Sequence, residues 1–159
     1  MNVKIGIGYD IHRFKKGRPL WLGGVLFKNE RGLDGHSDAD ALLHAIIDAL
    51  LGAAGLPDIG HYFPPGDPKT KNIPSATMIG RALREIEKQG YNVVNVDSTI
   101  VTELPKMAPY REAMRKKIAL VLHIRHSAVG ITVTSGDGLT DFGCGDGLQC
   151  FCMMTTVEV

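Results

Sequence analysis

The stretch from Gly35 to Pro68, GHSDADALLHAIIDALLGAAGLPDIGHYFPPGDP, limits the possible folds more than any other part of the chain. Its first half predicts a helix that is apolar almost all the way round. Only Asp40, His44 and Asp48 interrupt it, at four-residue spacing. Residues four apart stack on one helix face, so the polar stripe covers roughly 80° of the wheel. An ordinary surface helix has a wider polar face. This helix must therefore be enclosed, and an imidazole between two carboxylates on its one polar edge reads as a site. Ser37 is expected to cap the helix, with Asp40 as a weak capping-box partner. Gly55 and Pro57 should end it.

Enclosure requires other layers. Val3 to Arg13 alternates as a strand, with Val3, Ile5, Ile7 and Tyr9 on one side and Asp10 and His12 sharing a face near its end. That pair alone fits a divalent-metal site or, equally simply, a turn aspartate beside a surface histidine. Residues 14–18 read as a turn and 29–34 as a loop. Leu20 to Leu22 and Val25 to Phe27, split by Gly23-Gly24, predict two short strands or one bulged strand.

Asp58 to Asp67 is too rich in Gly and Pro for regular structure and reads as a binding loop. A second helix is expected from about Pro74 to Gln89 on the spacing of Ile79, Ala82, Leu83 and Ile86. Its Arg81, Arg84, Glu85 and Lys88 read as a solvated face. Tyr91 to Val101 predicts a strand. A third helix opens near Pro109, with Arg115-Lys116-Lys117 as an exposed basic run. Val129 to Ser135 is a further strand.

Residues 136–147 hold five glycines and predict a loop. Leu148 to Val159 is apolar on both faces, as in a central strand or one lying against another subunit. Cys150 and Cys152 share a face there and read as buried structural thiols. No Rossmann glycine fingerprint or P-loop lysine motif is present. The expected class is α/β, of the α+β two-layer sandwich type: a mixed sheet of four or more strands with three main helices on one face. Apolar surface left over on both layers points to an oligomer.

A net charge of +1 gives no case for nucleic acid or an anionic membrane as partner. No apolar run approaches the roughly 18 residues of a membrane span. The strand-like start leaves no room for a targeting peptide. Three cysteines, all near the C-terminus, make no disulfide framework, so a cytoplasmic protein is expected. Residues 1–159 are expected to form one domain.

Asp10, His12 and His44 make a stronger case together than apart. Three N/O ligands from a strand end and a helix leave a fourth tetrahedral position open, as in a catalytic zinc site. Asp48, one turn beyond His44, reads equally as an outer partner of that site or as a surface carboxylate. From these residues alone, a phosphohydrolase with a metal-activated water is one possible outcome.

GYDIHRF, the GHSDADALLHAIIDALLGAAGLPDIGHYFP stretch and DSTIVTELPKM together resemble the 2-C-methyl-D-erythritol 2,4-cyclodiphosphate synthase family over most of residues 3–134. The order D-x-H, HSD-x-D-x-x-x-H, DIG-x-x-FP, PKM is highly specific. The resemblance implies a homotrimer with active sites between subunits, zinc, and a second divalent ion, magnesium or manganese. It implies conversion of 4-diphosphocytidyl-2-C-methyl-D-erythritol 2-phosphate, a nucleotide-linked small molecule, to the cyclic diphosphate with release of CMP.

Carried over, Asp10, His12 and His44 match the zinc ligands, the first two also bordering substrate. His36 matches a substrate contact that stabilises the transition state, with Ser37 beside it. Asp58, Ile59, Gly60, Phe63 and Asp67 match the methylerythritol side. Thr102, Glu103, Leu104, Pro105, Lys106, Met107 and Ala108 match the segment that wraps cytidine and its phosphate from the adjacent subunit. Thr134, Ser135 and Asp137 match the remaining phosphate contacts, Ser135 as second stabiliser and Asp137 as ligand of the second ion.

The C-terminal quarter departs from the family. Thr134-Ser135-Gly136-Asp137 stands where T-T-T-E is usual, so the carboxylate is one methylene shorter. Asp141 and Cys144 replace an aromatic residue and an arginine that lines a cavity on the trimer axis, and Pro65 replaces a frequent aspartate. A relative that binds zinc and a cytidine nucleotide without turnover is therefore the second reading.

Overall fold

The computed structural model describes residues 2–159. Strand β1 (Val3–Lys15) pairs antiparallel with β7 (Gly147–Glu158) from Val3↔Val157 to Arg13↔Gly147. On its other side β7 pairs antiparallel with β5 (Tyr91–Val101), and β5 pairs parallel with β6 (Val129–Thr134). The two-residue β4 (Gly32–Leu33) extends the β1 edge, giving a mixed five-stranded sheet in the order β4-β1-β7-β5-β6. The last strand is thus central, one of its two expected positions. A separate hairpin joins β2 (Leu20–Leu22) to β3 (Val25–Phe27).

Four helices accompany the sheet: α1 (Ala41–Ala53), the single turn α2 (Ile59–Tyr62), α3 (Ser75–Lys88) and α4 (Arg111–Leu122). Leu42, Leu43, Ile46, Ile47, Leu50 and Leu51 of α1 are at most 1% exposed. Each fully buried side chain of this size contributes about 1.5–3 kcal/mol, so α1 is the chief anchor of the core. Its incompletely buried positions are His44, Asp48 and Gly52, whereas Asp40, the first member of the polar stripe, is fully buried.

Two glycines decide how α1 meets the sheet. A Cβ on Gly6 would lie 1.9 Å from the Ala49 carbonyl oxygen, and one on Gly8 1.8 Å from that of Ala45. Only glycine lets the helix backbone rest on β1. By period two, Gly6, Gly8, Asp10 and His12 share this face, so the same contact that seats α1 brings His44 over Asp10. The opposite face of β1 is open: Val3, Ile5 and Ile7 are 52–71% exposed, flanked by Phe151 and Met153 of β7.

Some expectations need correction. Asp40, not Ser37, caps α1: Asp40 Oδ1 accepts from Leu43 N–H at 3.0 Å. Ala39 takes φ of +57°, which delays the helix to Ala41, and the Ser37 hydroxyl accepts instead from Ala39 N–H. Asp40 also accepts from the Gly23 and Gly24 N–H groups at 2.9 and 2.7 Å, tying the β2–β3 turn to the start of α1. Its full burial pushes the carboxyl up to about 6 despite these donors.

Asp58–Asp67 is not wholly irregular, because Asp58 caps α2 by accepting from His61 N–H. β1 continues through Phe14 and Lys15, and residues 29–34 include β4, since Phe14↔Leu33 pairing extends the sheet edge. Arg115 is not a free surface cation: Nε donates to the Val129 carbonyl at 2.8 Å, fastening α4 to β6. Cys150 and Cys152 are buried, as expected, and burial raises both thiols, Cys152 to about 12.

Candidate active site and metal centre

Asp10 and His12 project from β1 toward α1, and His44 meets them from the helix. One ligand atom from each lies within 4.8 Å of the others. Asp10 Oδ2 is 2.9 Å from His12 Nε2 and 3.0 Å from His44 Nδ1. The outer nitrogens are engaged: His12 Nδ1 with the Asp34 carbonyl, His44 Nε2 with the Ser75 hydroxyl at 2.9 Å and Ser37 Oγ at 3.2 Å.

A carbonyl only accepts, so His12 carries its proton on Nδ1 and presents a lone pair at Nε2. That nitrogen is buried and has no well-directed hydrogen bond, despite its closeness to Asp10. Lone pairs facing a carboxylate need a positive charge between them. Either a cation or extra protons on the imidazoles supplies it, and the anchored outer nitrogens are what metal-binding histidines ordinarily show. The donor set therefore fits a divalent metal with an open position.

Without a metal, protons take that role. Burial raises the Asp10 carboxyl, but hydrogen bonds from His12 and His44 outweigh it and hold it at about 2. Burial lowers His12, yet its bond to Asp10 leaves it above the ordinary imidazole value.

The three residues form one wall of a cavity of about 280 Å³, with His36, Ser37, Ile59, Gly60, Phe63, Pro65, Thr70, Ile73 and Met78 around it. His36 Nε2 is 3.1 Å from the Asp67 carbonyl oxygen, and Asp67 Oδ1 accepts from Lys69 N–H. Asp48 Oδ1 accepts from Ile59 N–H at 2.7 Å, so the polar stripe of α1 ends by fixing the start of the Asp58–Asp67 loop. Burial raises the Asp48 carboxyl above its ordinary value, with the Ile59 donor opposing.

The family model for the YgbB family matches residues 3–157.

The chain belongs to the YgbB family.

Among YgbB relatives, the 2-C-methyl-D-erythritol 2,4-cyclodiphosphate synthase of Akkermansia muciniphila is 52% identical over 147 residues, 92% of this chain and 87% of that protein. Among solved structures, IspF of Plasmodium falciparum in its CDP complex matches with TM-score 0.87 at 33% identity, covering 99% of this chain and 97% of that one. The bifunctional IspDF of Campylobacter jejuni matches with TM-score 0.95 at 32% identity; this chain is covered to 99% and spans 43% of that protein.

Not every expected site residue of this YgbB chain gathers in one place. Thr102–Ala108 and Thr134–Asp137 follow the ends of β5 and β6, joined where Thr102 N–H donates to the Thr134 carbonyl at 2.9 Å. Asp10 lies in one sheet row with Cys150, Ile100 and Val133. Two strand spacings of about 4.8 Å to β5 and three to β6 therefore separate the candidate metal ligands from this second cluster. Ser135 Oγ there donates to Asp137 Oδ1 at 3.1 Å, both residues being exposed or nearly so.

Several contributors escaped the sequence pattern. Arg81, read as solvated, donates to the Tyr62 carbonyl at 3.0 Å and lies over the Tyr62 and Phe63 rings at 5.5 and 5.4 Å. Arg18 donates to the Gly35 and Ser37 carbonyls and holds the approach to α1. Asp38 and Ser75 stand directly behind His44. None has a spacing signal, because its partner is remote in sequence.

Proposed function

We infer that this chain is a 2-C-methyl-D-erythritol 2,4-cyclodiphosphate synthase, a cytoplasmic phosphorus–oxygen lyase of one domain over residues 1–159. The observation that carries this is the convergence of Asp10, His12 and His44 on a cavity walled by Ile59, Gly60 and Phe63, in a chain 52% identical to a protein of that name.

The reaction is an intramolecular phosphoryl transfer. An oxygen of the substrate's 2-phosphate attacks the β-phosphorus, the bond from that phosphorus to the bridging oxygen breaks, and CMP leaves with the oxygen. The nucleophile is part of the substrate, so the protein positions it and neutralises charge. Asp10, His12 and His44 would hold zinc, which supplies Lewis-acid polarisation of a phosphate oxygen. His36 and Ser37 border the same cavity and donate hydrogen bonds to the phosphates. Asp58, Ile59, Gly60, Phe63 and Asp67 enclose the methylerythritol part.

Thr102–Ala108, with Lys106, would hold the cytidine of the substrate, and a solved relative is a CDP complex. Thr134 and Ser135 contact phosphate, and Asp137 binds the second ion, magnesium or manganese. The distance across the sheet between the two clusters is bridged when copies associate. A homotrimer packed through the open apolar face of β1 and β7 places one copy's 102–108 segment against its neighbour's cavity.

Phosphorus NMR on the purified protein with zinc, magnesium and the diphosphocytidyl phosphate substrate tests the reading. Cyclic diphosphate with CMP is the expected outcome. Inorganic phosphate would mean a hydrolase. CMP binding without turnover would mean a nucleotide-binding relative.

A further inference from the structure

We propose that Asp38 and Ser75 are positioning residues that fix the protonation of His44, so that its Nδ1 lone pair faces the metal centre. The proposal rests on reading His44 as a metal ligand. Ser75 is fully buried at the first turn of α3, and its hydroxyl lies between two groups. On one side is Asp38 Oδ1, in a very short contact, and on the other His44 Nε2 at 2.9 Å.

Asp38 can only accept. Its Oδ2 takes the Ser75 N–H at 2.8 Å and its Oδ1 also takes the Asp40 N–H at 3.1 Å. The carboxylate is thus oriented by main-chain donors on both oxygens. The single hydroxyl proton of Ser75 is committed to it. The remaining lone pair of Ser75 Oγ can then only accept, and the group facing it is His44 Nε2, which must carry the proton. With Nε2 holding the ring's remaining proton, Nδ1, 3.0 Å from Asp10, is the nitrogen left to face a cation in place of the proton that the carboxylate otherwise draws there.

The order Asp38–Ser75–His44 thus joins the start of α3 to the metal centre. The same carboxylate serves as the missing cap of α3, whose own N-cap position is Pro74 and offers no side-chain bond. Ser37 differs: its Oγ is 3.2 Å from the same nitrogen, but the only other bond at that oxygen is one it accepts, from Ala39 N–H. Its hydroxyl proton is uncommitted, so it imposes no tautomer.

Long-range proton–nitrogen NMR of the imidazole-labelled Asp10→Ala protein, in which no carboxylate draws a proton to Nδ1, reads the tautomer directly at about pH 8.5, where an ordinary histidine is neutral. Zinc affinity is read separately, with Asp10 intact, by competition with a chromophoric chelator. The Asp10→Ala background is expected to show His44 protonated at Nε2, and adding Ser37→Ala should keep that state. Ser75→Ala should yield a mixed or Nδ1-protonated signal and lose about 10–100-fold in zinc affinity. Asp38→Asn, which can turn a donor toward Ser75 Oγ, should move the tautomer the same way with the side-chain shape kept.

If both variants fold and His44 keeps its Nε2 proton, the proposal is overturned. A tautomer that moves in a protein that takes up no zinc, wild type included, would instead refute the ligand reading and leave the relay standing.

Discussion

The two clusters at this end of the sheet are built differently. The one around His44 is enclosed: the Asp10, His12 and His44 side chains are 24%, 19% and 12% exposed, and their outer atoms are held by Asp34, Ser75 and Ser37. The one after β5 and β6 is open. Leu104 is 49% exposed and Leu139, in the glycine loop, 84%, and Ser135 and Asp137 bond mainly to each other. A single chain preorganises the enclosed half, whereas the open half, proposed to take the nucleotide, lacks a wall. The open face of Ile5, Ile7, Phe151 and Met153 beside it is where such a wall would attach.

Replacing His44 strikes the enclosed half. His44→Ala should abolish zinc retention and, since metal polarisation supplies several kcal/mol, lower turnover by about a thousandfold or more. Zinc content by atomic absorption, with sedimentation to follow assembly, checks it. Assembly should persist, and a zinc-loaded, active variant would dissolve the contrast between the halves.

A charge on the open face strikes the other half alone. Ile7→Lys places an unpaired cation in the expected interface, costing about 3–5 kcal/mol there. The variant should sediment as a folded single chain, lose CMP binding in calorimetry and still take up zinc. If it assembles normally, the β1–β7 face is not the contact surface.

The smallest expected effect tests the wall between pocket and solvent. Arg81→Ala removes an exposed cation–aromatic contact worth about 0.5–1 kcal/mol and one bond to the Tyr62 carbonyl. KM should rise roughly two- to fivefold with kcat unchanged. A fall in kcat would mean that the loop shapes the transition state as well as admitting substrate.

Much of this could be read before any coordinates existed. The apolar wheel of residues 41–53, the stripe of His44 and Asp48 and the Asp10–His12 pair are periodic signals, and period converts directly into a shared face. The helix cap was misassigned because Ser37 and Asp40 are both good capping types, and only the turn at Ala39 decides between them. Arg81 and Arg115 looked solvated because their charges lie on a helix's polar side. What a long side chain reaches depends on the neighbouring element.

By itself the sequence determined the long helices and strands, though not α2 or β4, that α1 must be buried, and that two imidazoles and a carboxylate were available for one centre. Local propensity and the side-chain period carry that information residue by residue. Only the tertiary structure decided that Gly6 and Gly8 seat α1 directly on β1, bringing His44 to Asp10. It alone placed Asp38 and Ser75 behind His44 and set Thr102–Ala108 across the sheet from the metal ligands. The contacts around His44 and α1 join residues 31 to 43 positions apart, and no local pattern encodes them, since they exist only once the layers have packed.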